Sequence, residues 1–247
     1  EGSVGDGALV GRVLAEERIE AILHFAGSII VPESVANPLK YYANNTVASQ
    51  RLIAEAVAAG VAHVIFSSTA AVYGMPGRQP IAEDAALAPI TPYGASKMMT
   101  ERMLEDAGRA HGLAHVALRY FNVAGADPAG RAGQSTPQAT HLIKVATQAA
   151  LGLRPRLAIF GTDYPTPDGT CLRDYIHVTD LAAAHLAALA YLRAGGEAGA
   201  FNCGYGRGHS VREVVAAVRR VSGVDFEVRE EPRRPGDPPA LVADPSR

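Results

Sequence analysis

Short apolar runs alternate along the chain with longer segments of helical pattern. The runs hold four to six residues and are rich in β-branched and aromatic side chains, which is typical of strands buried in a parallel sheet. Repeated alternation of such strands with helices predicts an α/β fold, in which helices cover both faces of a doubly wound parallel sheet. The predicted strands are residues 21–25, 63–66, 116–121 and 157–160.

Glycines and capping residues mark the ends of the predicted helices. Gly60 and Gly112 each follow a helical segment and are expected to end it. Thr179 is expected to be the N-cap of a later helix, and Ser210 and Glu213 have the spacing of a capping box at the start of another. The predicted helices are residues 9–17, 38–59, 92–111 and 138–151.

Composition narrows the class of partner. The 247 residues are 48% hydrophobic and 19% charged, as in an ordinary globular protein with a substantial core. The formal net charge of −2 gives no reason to expect nucleic acid or an anionic membrane as a partner, and no apolar run approaches the roughly 18 to 20 residues that span a bilayer. Cys171 and Cys203 are expected to be reduced thiols in a cytoplasmic protein. A small molecule is therefore the expected partner.

The strongest chemical signal is a tyrosine and a lysine four residues apart, Tyr93 and Lys97. On a helix this spacing places both side chains on one face. A tyrosine normally titrates near about pH 10, so only a nearby cation makes its phenolate a base near neutral pH. The hydroxyls of Ser67, Ser68 and Thr69 follow a predicted strand, and chemistry in open parallel sheets gathers at the carboxyl ends of strands. Thr69 is the favoured partner for the same substrate oxygen, with Ser67 or Ser68 as alternatives.

Seven sequence strings resemble those of one enzyme family. Together they make the chain similar to the extended short-chain dehydrogenase/reductase superfamily and, within it, closely to the UDP-glucose 4-epimerases. The string at 159–178 is the one that separates epimerases from their relatives. The strings are HFAG (24–27), PLKYYANN (38–45), SSTAAVYG (67–74), TPYGASK (91–97), RYFNVAGA (119–126), IFGTDYPTPDGTCLRDYIHV (159–178) and FNCGYGRGHSV (201–211).

The resemblance implies interconversion of UDP-glucose and UDP-galactose through a 4-keto intermediate, with a tightly held NAD that is reduced and reoxidised in each turnover. Tyr93 then takes the proton of the sugar 4-hydroxyl while the C4 hydride passes to the cofactor. Lys97 is expected to lower the pKa of Tyr93 and to bond the nicotinamide ribose, and Thr69 to share the substrate oxygen. Such a site binds the nucleotide tightly and the sugar loosely, so that the 4-keto sugar swings about its bond to the diphosphate and takes the hydride back on its other face.

Other cofactor and substrate contacts follow from the same resemblance. Asn44, Ser67 and Ser68 are expected to contact the cofactor together with Tyr93 and Lys97, and the ring of Phe121 to flank the nicotinamide. Substrate contacts are expected from Thr69, Asn122, Ala158, Ile159, Phe160, Arg173, Arg234 and Leu241.

Several of these substrate assignments have a plainer alternative. Arg173 and Arg234 would clamp the diphosphate, because a guanidinium presents paired donors to phosphate oxygens, but Arg234 beside Arg233 also fits a solvated charge. The run at 158–160 aligns with the segment that cradles uracil and fits a core strand equally well, as does Phe121.

Two positions depart from the family pattern. Ile29 stands where some epimerases carry a lysine that reaches the cofactor, so that contact is expected to be lost or replaced. Leu241 stands where the family places a side chain against the sugar 2-substituent, a large tyrosine in some members. A leucine leaves more room, and we therefore expect UDP-N-acetylhexosamines to be accepted as well.

The resemblance also implies two lobes and a dimer. The Rossmann-like cofactor lobe is expected at residues 1–122 and about 175–200, and the UDP-sugar lobe at 123–174 and about 201–247. Because no strand and glycine-rich turn precede Glu1 in this sequence, we expect both lobes to be incomplete at the chain ends, and the chain alone to bind NAD poorly and to be inactive. Helices 38–59 and 92–111 are the candidates for a homodimer interface.

Three other functions compete with epimerisation. Sugar-nucleotide dehydratases need acid and base groups for elimination, commonly an Asp-Glu pair after the threonine, whereas Ala70 and Ala71 follow Thr69 here. A 4-keto reductase and a catalytically silent nucleotide-binding protein remain as alternatives. A metal site built from His177, Asp174 and Asp180 is not expected, because these residues lack the spacing of a closed ligand set.

Overall fold

The chain folds into three β-sheets with helices packed around them, in a computed structural model that describes residues 1–136, 139–234 and 236–247. The α-helices are α1 (Gly7–Glu16), α2 (Val31–Ala36), α3 (Pro38–Tyr41), α4 (Ala48–Ala58), α5 (Pro92–His111), α6 (Leu142–Ala150), α7 (Val178–Arg193) and α8 (Val211–Ser222). The strands are β1 (Ala21–His24), β2 (His63–Ser67), β3 (Ala114–Tyr120), β4 (Asn122–Ala124), β5 (Leu157–Phe160), β6 (Leu172–His177), β7 (Gly199–Cys203), β8 (Gly208–Ser210), β9 (Val228–Glu231) and β10 (Ala240–Leu241). A π-helical segment spans Tyr42–Val47 and a 3-10 turn spans Ala70–Tyr73.

The largest sheet is fully parallel, with strand order β1-β2-β3-β7. Its two faces are covered by different helices, as the β-branched composition of the strands predicts. On one face Ile65 and Val116 pack against Leu181 of α7. On the other face Phe66 packs against Leu104 of α5. The two central strands, β2 and β3, are thus buried on both sides, which agrees with the predicted α/β fold.

The strands of the two smaller sheets come later in the chain than β3: β4, β5 and β6 lie between β3 and β7, and β8, β9 and β10 follow β7. β6 pairs with β4 and β10 in parallel and with β8 antiparallel, and β5 pairs with β9. The carboxylate of Asp174, which is fully buried in β6, accepts backbone N–H bonds from Tyr205 at 2.9 Å, Gly206 at 2.9 Å and Ala243 at 3.1 Å. These bonds compensate the buried charge and tie two chain segments, one at Tyr205 and Gly206 and one at Ala243, to β6.

Most predicted elements form close to their expected bounds. The four predicted strands become β1, β2, β3 and β5, and the capping box of Ser210 and Glu213 starts α8. The helix predicted from residue 138 begins at Leu142 as α6; Gln138 itself lies outside the described residues. The predicted boundary between the lobes at about residue 201 falls inside β7 of the large sheet.

Two helix predictions need correction. The predicted helix 38–59 is interrupted by the π-helical segment Tyr42–Val47. Thr179 is not the N-cap of α7: His177 is, and its side chain accepts the N–H of Thr179. The ring of His177 also bonds the Thr179 hydroxyl at 2.7 Å, so the threonine supports the cap rather than forming it. Among the described residues, no helix combines the length and apolarity needed to cross a membrane.

Candidate active site

The start of α5 lies directly against the end of β2. Thr91 caps the helix by accepting the N–H of Gly94 at 3.2 Å, and Pro92 occupies its first turn. Gly94 is required for the close approach, because a Cβ there would lie 2.6 Å from the carbonyl oxygen of Ala71. The packing brings Tyr93 and Lys97 to the hydroxyls that end β2, as the sequence predicts.

Lys97 is buried, with only 3% of its surface exposed. Its ammonium donates to the carbonyl oxygen of Ser67 at 2.8 Å and lies 4.9 Å from the centre of the Phe66 ring. Burial lowers the pKa of Lys97 to about 8, although the charge of Glu101 opposes this shift. At pH 7 the side chain therefore remains mainly an ammonium, and its bond to Ser67 holds it at the carboxyl end of β2.

Tyr93 has a pKa above its ordinary value. Burial raises it, and the hydrogen bond with the hydroxyl of Thr69 offsets only part of that effect. The ammonium of Lys97 donates to the Ser67 carbonyl, and the net effect of these surroundings is a pKa of Tyr93 above its ordinary value. The lowering expected from the sequence therefore needs a further positive charge beside the phenol.

The three hydroxyls after β2 have three different partners. Ser67 is hydrogen-bonded to the phenol of Tyr120, and Ser68 donates to the carboxylate of Glu101. Thr69 is the one beside Tyr93, whose pKa it lowers, and its hydroxyl oxygen also accepts the N–H of Ala71 at 3.2 Å. Of the alternatives left open by the sequence, the geometry thus favours Thr69 as the partner of the phenol.

A polar cradle lies beside Lys97 at the end of β1. Asn45 is buried: its Oδ1 accepts the N–H of Ser28 at 2.7 Å, and its Nδ2 donates to the Ser28 carbonyl at 3.0 Å and to the Ser96 hydroxyl at 3.1 Å. A Cβ on Gly27 would lie 3.1 Å from Asn45 Oδ1 and 3.7 Å from Lys97 Nζ. The missing side chain at position 27 therefore keeps this cradle open.

Asn44, the residue predicted to contact the cofactor, is exposed on the same π-helical segment. Its Nδ2 donates to the hydroxyl of Ser28 at 3.0 Å. Sequence reasoning missed the role of Asn45 in shaping the cradle, although the Asn-Asn doublet was a signal for it. Ile29 is exposed next to this region.

Two arginines predicted to bind phosphate meet at a carboxylate. Arg234 donates from Nε to Asp237 at 2.9 Å, and Arg173 Nη2 lies 3.9 Å from the same carboxylate. The guanidinium of Arg234 stacks over the ring of Phe160 at 4.8 Å. The structure thus brings Phe160, Arg173 and Arg234 together, and adds Asp237, which the sequence reasoning missed.

The other predicted substrate residues are more dispersed. Ile159 is a core residue, packed between α6 and α8, so its side chain does not line a binding surface. Ala158 is half-buried beside it on β5. Asn122 starts β4, opposite Tyr175 of β6.

Phe121 and Leu241 share one apolar cluster behind the 3-10 turn. Phe121 is buried there with Val72 and Tyr73, and the half-buried Leu241 packs against the same cluster. Leu241 also lies opposite Arg173 in the pairing of β10 with β6. This packing connects Leu241 to both Arg173 and Phe121.

The three residues considered as metal ligands have other partners. Asp174 accepts backbone N–H bonds, His177 caps α7, and Asp180 is hydrogen-bonded to Tyr205. In the part of the chain that the structure describes, no cluster of His, Cys, Asp and Glu is suited to hold a metal.

Comparison with known proteins decides the family. The sequence model of the NAD dependent epimerase/dehydratase family matches residues 1–204. The chain belongs to the NAD dependent epimerase/dehydratase family. Among members of that family, the UDP-glucose 4-epimerase of Azospirillum brasilense is 64% identical over 243 residues, which are 98% of this chain and 70% of that protein.

Solved structures of family members agree. The crystal structure of UDP-glucose 4-epimerase from Brucella ovis in complex with NAD is 48% identical, with a TM-score of 0.96 over 100% of this chain and 76% of that one. The UDP-Glc/GlcNAc 4-epimerase of Campylobacter jejuni is 52% identical, with a TM-score of 0.84 over 100% of this chain and 75% of that one. The predicted resemblance to UDP-glucose 4-epimerases and the Rossmann-like fold are confirmed.

Proposed function

We propose that the protein catalyses NAD-dependent 4-epimerisation of UDP-hexoses, interconverting UDP-glucose and UDP-galactose through a 4-keto intermediate. The observation that carries this proposal is the junction of α5 with β2. In a member of this family, that junction brings Tyr93 to the Thr69 hydroxyl and places the buried Lys97 ammonium one turn away.

The cradle beside Lys97 fits the cofactor. Position 27 has no side chain, and an ammonium and the amide of Asn44 line the same edge of the sheet, which suits the hydroxyls of a nucleotide ribose. NAD, when bound, supplies a hydride acceptor that returns the hydride to the same carbon, together with the positive charge of its oxidised ring. That charge counters the burial that raises the pKa of Tyr93.

Tyr93 is the group that takes and returns the proton of the sugar 4-hydroxyl. Thr69 donates to or accepts from the same oxygen and keeps it within reach of the phenol. Lys97 contributes a positive charge that its bond to the Ser67 carbonyl holds in place. Because the reaction is reversible and leaves the substrate redox state unchanged, the same proton-bearing phenol serves both directions.

The arginine pair at Asp237 suits the diphosphate of the substrate. Arg173 and Arg234 provide guanidinium donors from two elements, and Phe160 offers an exposed ring against which a uracil can stack. Asn122 is proposed as a further donor to the diphosphate or sugar. A phosphate bound here competes with Asp237 for both arginines, so this carboxylate holds them ready before the substrate arrives.

We further propose that UDP-N-acetylhexosamines are substrates, because Leu241 leaves more room than a tyrosine at this position. The similarity to an enzyme named UDP-Glc/GlcNAc 4-epimerase supports this proposal. Activity with UDP-N-acetylglucosamine is expected to fall at least tenfold in the Leu241→Tyr variant, whereas activity with UDP-glucose is retained. Turnover of UDP-glucose with no turnover of UDP-N-acetylglucosamine at high concentration would contradict the proposal.

A cytoplasmic homodimer is the assembly we propose. The two predicted interface helices, 38–59 and 92–111, run side by side. Three large apolar side chains are exposed on them: Leu39 on α3, Val47 on the π-helical segment and Met99 on α5. A second copy of the chain would cover them.

The division into a cofactor lobe and a UDP-sugar lobe remains part of this proposal.

The decisive assay uses the full gene product with UDP-galactose and no added cofactor. Epimerisation produces UDP-glucose without net change in NADH absorbance. Accumulation of a 4-keto-6-deoxy sugar would indicate a dehydratase, and stoichiometric NADH consumption would indicate a reductase. Failure to convert any UDP-sugar, with UDP still bound, would leave the silent binding protein as the correct reading.

A further inference from the structure

Three side chains on successive turns of α5 each face one of the three residues at the end of β2, and two of them, Lys97 and Glu101, are hydrogen-bonded there. Their spacing of four residues places them on one face of the helix. The contacts therefore fix both the rotation of α5 and its position along its own axis. The pairs are Tyr93 with the Thr69 hydroxyl, Lys97 with the Ser67 carbonyl at 2.8 Å, and Glu101 with the Ser68 hydroxyl.

The third pair is anchored by Arg119 of β3. Arg119 donates from Nε to both carboxylate oxygens of Glu101 at 3.1 Å and from Nη2 to Oε2 at 2.7 Å. Glu101 is 8% exposed and Arg119 is 6% exposed, so this is a buried ion pair. Ser68, which donates to the same carboxylate, is fully buried.

The third nitrogen of the Arg119 guanidinium also has hydrogen-bond partners. Its Nη1 donates to the phenol oxygen of Tyr73 at 3.0 Å and to the carbonyl of Glu83 at 3.0 Å. Tyr73 in turn donates to Asn202 Oδ1 at 2.7 Å. The guanidinium thus has one fixed orientation, set by β7 and the segment after β2, and it transmits that orientation to Glu101.

A buried ion pair is a poor device for stability alone. Desolvating two charges costs about as much as their attraction returns, and apolar side chains of similar volume often stabilise a core equally well. Here the ion pair fixes the orientation of the Glu101 carboxylate. Its carboxylate accepts from Ser68, between the two residues that Tyr93 and Lys97 contact, and it is the anion that acts on the buried ammonium of Lys97.

We propose that Glu101 and Arg119 are positioning residues of the epimerase site, which hold Tyr93 and Lys97 of α5 in register with Thr69 and Ser67 of β2. This inference rests on the proposed function. Neither residue touches the reacting atoms; both act through α5 and the end of β2.

The test separates position from stability with three variants of the full gene product. The double variant Glu101→Gln/Arg119→Met removes both charges of the ion pair, so that neither Glu101 nor Arg119 leaves the other buried and unpaired. Ser68→Ala removes only the hydrogen bond to Glu101 and adds no volume. Thr100→Val is the matched control, because Thr100 is buried on the same helix but bonds only the carbonyl of Ser96 within it.

For the double variant we expect kcat to fall by about 100-fold, as for a reacting group displaced by about 1 Å, with KM for UDP-galactose unchanged within about twofold. Ser68→Ala is expected to lower kcat by about tenfold, and Thr100→Val to leave it unchanged. A crystal structure of the double variant is expected to show Lys97 Nζ withdrawn from the Ser67 carbonyl.

Wild-type kcat in a folded Ser68→Ala or in a folded double variant would overturn the proposal, as would a fall of kcat only in proportion to the loss of folded protein. If the double variant does not fold, Ser68→Ala decides alone. The wild-type protein provides the separate check on function: if it fails to epimerise UDP-galactose, the proposed function is wrong, and the Lys97-to-Ser67 distance in the variant still reports on the positioning.

Discussion

Burial controls the protonation states of the side chains around the phenol. It raises the pKa of Tyr93, lowers that of Lys97 to about 8, and lowers that of His24 to about 4 with help from the Lys97 charge. All three shifts disfavour the charged form. One added positive charge beside Tyr93 would therefore lower its pKa and favour the phenolate.

The neutral state of His24 predicts a pH dependence of stability. Its imidazole bonds the hydroxyl of Ser49 at 2.8 Å in the core and takes up a proton only near pH 4, whereas the unfolded chain takes it up near pH 6.5. Between these values the unfolded state binds more protons, so the free energy of unfolding falls as the pH falls from 6.5 to 4. We expect His24 to account for about 3 kcal/mol of that fall.

The measurement is urea denaturation of wild type and His24→Gln at several pH values. The difference between the two free energies of unfolding should shrink in favour of the variant as the pH falls across the window. A difference that does not change between pH 6.5 and 4 would show that the imidazole is not held neutral.

Residue types in the sequence identify the residues of the site better than they identify which side chains bond one another. The Ser67-Ser68-Thr69 triplet was found from its place after a strand, but the choice among the three hydroxyls depends on which side chains α5 and β3 present opposite them. Glu101 and Arg119 lie 18 residues apart in the chain, and their pairing arises only when both elements pack. Asp237 was missed for the same reason.

Element boundaries depend on the same distinction between local and tertiary causes. Strands β1, β2, β3 and β5 and the α8 capping box are encoded by local pattern, and the sequence predicted them. The π-helical segment Tyr42–Val47 was not predicted, and its Asn45 bonds Ser28 and Ser96 of other chain segments. The His177 cap of α7 is a local contact with Thr179, and the sequence pattern had assigned the cap to Thr179 itself. Strands β6 and β10 were not predicted either, and the two pair with each other across a large separation in the chain.

Gly94 is the point at which α5 is most sensitive to change. A methyl group there would lie 2.6 Å from the Ala71 carbonyl and push the helix away from β2. We expect Gly94→Ala to lower the free energy of unfolding by about 1–3 kcal/mol, as in other overpacked sites, and to lower kcat by at least tenfold. Thermal denaturation and steady-state assays of the variant measure both effects.

Gly77→Ala is the control for that experiment, because a Cβ at position 77 has no neighbour within 4 Å. It should behave as wild type. Wild-type kcat in Gly94→Ala would show that the catalytic side chains tolerate movement of α5.

The exposed apolar face formed by Leu39, Val47 and Met99 leads us to expect that two copies of the chain associate. Leu39 is 77% exposed, and Val47 and Met99 are 47% and 39% exposed; exposed apolar surface of this kind marks a site of interaction when it is contiguous. If this face is the interface between two copies, a charge placed on it must separate them, because the charge would be buried without a partner.

Leu39→Glu is accordingly expected to convert a dimer into a monomer, with the dissociation constant raised at least 100-fold. Sedimentation equilibrium of the full gene product measures this. Leu153→Glu, at a leucine that is 71% exposed after α6, serves as the control and should leave the dimer intact. A wild-type protein that is monomeric at micromolar concentration, or a Leu39→Glu variant that remains dimeric, would contradict the proposed interface.

At the scale of the molecule, the chain brings one tyrosine from a helix to one threonine at the end of a strand, and the chemistry depends on that contact. The most direct test is Tyr93→Phe in the full gene product, which removes a single oxygen and keeps the ring. With UDP-galactose as substrate, we expect kcat to fall by about 10³-fold, since general-base catalysis contributes on this order, while UDP affinity measured by calorimetry stays unchanged. Undiminished kcat in a variant that binds UDP normally would contradict the account.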